Sequence, residues 1–105
     1  MKLSDLNTHD ESKHARRLVD SEYAAEDERL ALAGAVSVAV VKYRAEHNLS
    51  QTQFANVMGW KQPAVARLER GDHQPALATL ERLARAGVIR VRLDERGTVV
   101  ERRTA

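Results

Sequence analysis

Gln62, Pro63, Ala66, Arg67 and Arg70 fall on one side of a helix wound at about 100° per residue, while Val65 and Leu68, with Ala64 beside them, fall on the other. The first side carries the two residue types best suited to base edges in a major groove, since glutamine pairs twice with adenine and arginine twice with guanine. Ala66 and Pro63 can touch a thymine methyl, so the expected base readers are Gln62, Pro63, Ala66 and Arg67. Gln51, Lys61, Arg70 and His73 offer donors that suit phosphate oxygens, contacts that anchor a protein without reading sequence. The competing reading is that all of these are solvated surface residues.

Elements that could position such a face are legible on both sides of it. Ser50, followed three residues later by Gln53, forms a capping box that starts a helix over Gln51 to Met58. Phe54, Ala55, Val57 and Met58 are expected on its core side, with Thr52, Gln53 and Asn56 in water. Gly59 supplies the permissive backbone of a sharp turn, and Pro63 sits in the first turn of the next helix, where a missing N–H costs nothing. A small residue, Ala55, is expected where the two helices cross closely. Trp60 is expected to plug the core rather than touch DNA, because aromatic burial matters greatly in a small protein. Two short helices at a glycine turn, with one polar face left over, make a helix-turn-helix DNA reader.

The matching pattern is Leu49-Ser50-Gln51, Phe54-Ala55, Gly59, Gln62, Val65, Leu68-Glu69-Arg70-Gly71, Pro75, Thr79-Leu80 and Leu83-Ala84. Over roughly Val36 to Gly87, about half of the chain, it resembles the Xre or Cro/CI-type helix-turn-helix domains of phage repressors and bacterial antitoxins. The resemblance implies that Gln51 binds a phosphate and buttresses Gln62, which reads a base. It also implies a structural ion pair between Arg44 in the first helix and Glu69 in the Leu-Glu-x-Gly turn. Lys61 stands where the family usually places a Ser or Thr cap, and Trp60 where it places a smaller aliphatic residue.

At 105 residues the chain is expected to be one small domain with an appendage, with a modest core. Residues 1–41 carry five basic and eight acidic groups, net −3, whereas residues 42–90 carry eight and four, net +4. A basic middle beside an acidic leader fits a DNA-binding module whose leader need not touch DNA. There is no cysteine, so disulfides and thiolate metal sites are excluded and a cytoplasmic setting is expected, with nucleoid association through DNA. No run of about 18 apolar residues suggests a membrane span. His9, His14, His47 and His73 lack the paired spacing of a zinc site. No cofactor, metal or enzymatic activity is expected, since no phosphate loop, serine elbow or HExxH pattern occurs.

Along the chain, Thr8 and Glu11 with Ala15, Leu18, Val19 and Tyr23 read as a short helix within an N-terminal extension over residues 1–25, a candidate partner-binding segment. Leu32, Val36, Val40 and Tyr43 mark a helix over about 25–46, closed by a left-handed Asn48. Asp72 to Pro75 read as a loop, and Leu77, Leu80, Leu83 and Ala84 as a fourth helix ending at Gly87. Ile89, Val91 and Leu93 then alternate with Arg90 and Arg92, and Asp94 to Gly97 form a turn before Thr98, Val99 and Val100. The expected fold is mainly α: a lambda-repressor-like helix-turn-helix bundle over 26–87, with an N-terminal helical extension and a C-terminal β-hairpin over 88–105. One hairpin is marginal in water, so pairing of two across a two-fold axis favours a homodimer.

The layout resembles antitoxins of the HigA kind, which implies a small basic toxin partner of the RelE/HigB-like mRNA-nuclease type and autorepression of a shared operon through double-stranded operator DNA. A stand-alone repressor without a toxin is the nearer alternative. A module that has lost base reading and binds only protein is the more distant one.

Overall fold

A computed structural model describes residues 26–103. The first helix, α1, covers 26–46 of these and buries Leu32, Ala33, Val36, Ala39 and Val40 along one side. It stops where Asn48 enters the left-handed region at φ 54°, which lets the Leu49 amide turn back to the Arg44 carbonyl at 2.9 Å. Ser50 then caps α2, Gln51–Met58, in a reciprocal box: the Gln53 amide donates to Ser50 Oγ at 3.0 Å, and the Ser50 amide to Gln53 Oε1 at 2.8 Å.

Gly59 ends α2 at φ 71°, and the Trp60 amide reaches back to the Ala55 carbonyl at 2.8 Å. A non-glycine residue here would be strained in the left-handed region. The second helix of the motif, α3, spans Gln62–Arg70 with Pro63 in its first turn, and its Lys61 N-cap makes no side-chain capping bond. After a loop comes α4, Leu77–Arg85. Two antiparallel strands follow, β1 over Ile89–Asp94 and β2 over Gly97–Arg102, registered Ile89 to Arg102 and Asp94 to Gly97.

Phe54, Leu83, Ile89, Val36, Val40, Val65 and Val88 are almost wholly buried, so the core draws on all four described helices and the root of the hairpin. Tyr43 meets Phe54 edge-on at 5.7 Å. Trp60 is half-buried against the same cluster, the plugging role its size suggests. Arg82 of α4 donates to the Met58 carbonyl, which satisfies the C-terminal end of α2 and ties α4 to the turn. Arg102 pairs with Glu46 at 2.8 Å, fastening the hairpin to the end of α1.

Some side chains expected inside are outside. Val57 is 59% exposed, because only Phe54, Ala55 and Met58 of α2 point at α1 and α3, an arc narrower than the apolar pattern. Ala64 is likewise exposed on α3. Leu77 is 58% exposed at the first position of α4, where it lies a full turn short of buried Leu80. Along β1, Ile89 is buried, Val91 half-buried and Leu93 65% exposed, which shows the hairpin leaving the body as it lengthens.

Ala55 is 1% exposed. Ala55→Leu is expected to lower stability by about 1–3 kcal/mol through overpacking. Val57→Thr should change it by less than about 0.5 kcal/mol, as for other surface substitutions. Urea unfolding of the two variants checks the pair.

Candidate nucleic-acid interface

The outer side of α3 and the loop after it form one open groove, lined among others by Lys61, Gln62, Arg67, Arg70 and His73. Pro63 and Ala66 line it too, so the fold gathers every expected base and phosphate contact except Gln51. Lys61, Pro63, Arg67 and Arg70 are exposed, whereas Gln62 and Ala66 are half-buried. Among the described residues, neither Lys61 nor Arg67 forms an ion pair. Arg70 and His73 both approach Asp72, at 4.0 and 3.7 Å, in exposed pairs weak enough for an incoming phosphate to replace. Sequence spacing gives Asp72 no role, since only the folded loop brings its carboxylate between Arg70 and His73.

Gln51 stands behind the groove and completes the set. Its Oε1 accepts from Gln62 Nε2 at 2.7 Å, and its own Nε2 donates to Glu69 Oε1 at 3.3 Å. Glu69 in turn receives two bonds from one guanidinium, Arg44 Nε to Oε2 at 2.7 Å and Arg44 Nη2 to Oε1 at 2.6 Å. The third arm of Arg44 donates to the Leu49 carbonyl at 3.1 Å, in the link between α1 and α2. The ion pair implied by the resemblance is therefore present, and the expected buttress of Gln62 by Gln51 is a direct bond.

Close packing seats α3 on α1 near the same place. Ser37 Oγ donates to the Glu69 carbonyl, and Gly71 lies so near α1 that a Cβ on it would come within 3.3 Å of Ser37 Cβ. With φ 67° as well, position 71 needs glycine on two counts. Arg82, which holds the turn from α4, is missed by sequence reasoning: its spacing suits any solvated helix face, and its partner is a backbone carbonyl that carries no residue signature.

No group of three or more His, Cys, Asp or Glu among the described residues could hold a metal ion, and no described helix is long and apolar enough to cross a membrane. His47 lies stacked on Tyr43 with a centroid separation of 4.0 Å, far in role from any ligand set.

Donating to Glu69 raises the Arg44 pKa above its ordinary value, with burial opposing and the charge of Glu69 assisting. A raised pKa on a base means that the stability it contributes is complete below the unfolded pKa and is lost only as pH climbs through the folded one. Titration of Arg44 is therefore expected to leave stability unchanged from neutral into the strongly alkaline range. The Glu69 side chain is only 8% exposed, against 20% for Arg44, so Arg44→Ala strands a carboxylate and should cost on the order of 3 kcal/mol. Arg44→Lys keeps the charge but loses the two-pronged grip, and should recover only part of that in urea unfolding.

Residues 40–87 match a family model described as helix-turn-helix. The chain is 35% identical over 86 residues to Antitoxin HigA1 of Mycobacterium tuberculosis strain CDC 1551 / Oshkosh, and equally to that of strain ATCC 25618 / H37Rv. The match takes in 82% of this chain and 46% of each relative, so it reaches beyond the helix-turn-helix segment, while the chain spans about half the length of those relatives. No solved structure shows significant similarity to the chain. A capped helix, a left-handed glycine turn and a Gln- and Arg-bearing second helix agree with the matching segment, so residues 40–87 are similar to the helix-turn-helix family in both sequence and local geometry.

Proposed function

We propose that the chain is a sequence-specific DNA-binding antitoxin that represses its own operon and neutralises a small basic toxin of the RelE/HigB-like mRNA-nuclease kind. The observation that carries the DNA half is the α3 groove, where Gln62 is braced by Gln51 and Arg67, unpaired among the described residues, stands on the same outward face. Gln62, Pro63, Ala66 and Arg67 read bases, while Gln51, Lys61, Arg70 and His73 hold phosphates. The chain acts as a homodimer, setting two α3 helices in successive major grooves about 34 Å apart on a palindromic operator. Its hairpin supports this, because a two-stranded sheet is marginal alone and here has two unpaired edges among the described residues. Likeness to proteins named antitoxins supports the toxin half. The extension over 1–25, the candidate toxin contact, lies outside the described residues, and cytoplasmic residence follows from the role.

Binding to a labelled duplex of the chain's own promoter tests the reading. Gln62→Ala and Arg67→Ala are each expected to weaken it by about 1–3 kcal/mol. Lys61→Ala should weaken all duplexes alike and flatten the slope of log affinity against log salt by about one. Unchanged affinity in both alanine variants of the base readers would overturn base reading by α3. For the toxin half, the product of the adjacent reading frame is expected to co-purify and to be toxic when expressed alone; absence of both would leave a repressor without a toxin.

A further inference from the structure

The hydrogen bonds behind Gln62 run in a single direction, and the direction is forced. Arg44 can only donate, and the Glu69 carboxylate can only accept. Gln51 must therefore turn its amide nitrogen to Glu69, which leaves its oxygen for Gln62, and Gln62 must in turn give that oxygen its own nitrogen. All four contacts are present, at 2.7 and 2.6 Å from Arg44 to Glu69, 3.3 Å from Gln51 to Glu69 and 2.7 Å from Gln62 to Gln51.

What remains for the groove is one N–H and the oxygen of Gln62, the donor and acceptor pair that matches N7 and N6 of adenine. Were the Gln62 amide reversed, its oxygen would face Gln51 and both N–H groups would face the groove. That arrangement suits guanine, whose N7 and O6 both accept. An amide flip thus exchanges one purine for the other, with almost no change in shape.

We infer that Glu69 is a positioning residue for base identity: by accepting from Gln51 it locks the amide polarity of Gln62 and so selects adenine over guanine at the base pair Gln62 faces. The inference rests on the proposal that α3 reads bases. Glu69 does this without touching DNA, and the rigid Arg44 fork keeps its oxygens in place.

The experiment selects duplexes from a pool randomised across a half-site, using the full chain, and sequences what is retained. The wild type is expected to prefer adenine at one position, and Gln62→Ala to lose that preference there alone. Glu69→Gln lets residue 69 present either an oxygen or an NH2 group to Gln51, and should cut the adenine-to-guanine ratio at that position by about tenfold or more. The exchange Gln51→Glu with Glu69→Gln rebuilds the same polarity, since the amide then at position 69 accepts from Arg44 and donates to the carboxylate then at position 51, which accepts from Gln62. It should regain the adenine preference even if a carboxylate at 51 weakens affinity overall. That recovery separates polarity from folding, because general damage to the domain would lower both purines together. Adenine preference undiminished in Glu69→Gln, or lost in the exchange, overturns the inference while leaving base reading intact. A Gln62→Ala variant with wild-type preferences overturns base reading itself, and the inference with it.

Discussion

The Glu69 carboxylate sits where the helix-turn-helix motif is joined to its scaffold, and most of the local geometry is arranged around it. Arg44 brings α1 to it through two bonds and brings the link before α2 through a third. Gln51 brings the first turn of α2. A carboxylate that is 8% exposed is costly without partners, so any displacement of α1, α2 or α3 that opens one of these bonds is opposed by desolvation as well as by lost attraction. The domain thereby holds α3 by directional bonds from Gln62 at its start and Glu69 near its end, with apolar packing of Val65 between them.

Apolar packing supplies the bulk of the stability, and it is thinly spread. The buried cluster contains one large aromatic, Phe54, with aliphatics of modest size around it. Beyond that core, directional contacts also fix the nine-residue α3. They are the left-handed glycines at 59 and 71, the close approach of Gly71 to α1 and the bond from Arg82 to the Met58 carbonyl. Polar bonds and backbone constraint thus act together with close apolar packing at Ala55 in fixing the shape of this domain.

The groove is electrostatically graded. Lys61 and Arg67 have no acidic partner among the described residues, while Arg70 and His73 share Asp72 at the far end. Lys61 and Gln62 thus stand together at the start of α3, with Arg67 further along the same outward face.

Ser50 with Gln53, Gly59, Pro63 and Gly87 declared helix ends from sequence alone, because caps and left-handed turns depend on a few adjacent residues whose chemistry is independent of the rest of the fold. The alternation after Gly87 declared the hairpin for the same local reason, and the outward face of α3 followed from helical periodicity. What tertiary structure decided was how wide each apolar stripe is and where it ends: Val57, Leu77 and Leu93 have the right type and spacing for a core, yet no element among the described residues covers them. It also decided the partners of Arg82 and Asp72, and the direction of the bonds from Arg44 through Glu69 and Gln51 to Gln62. Those depend on distances between residues up to 25 positions apart, and periodicity carries no information about such distances.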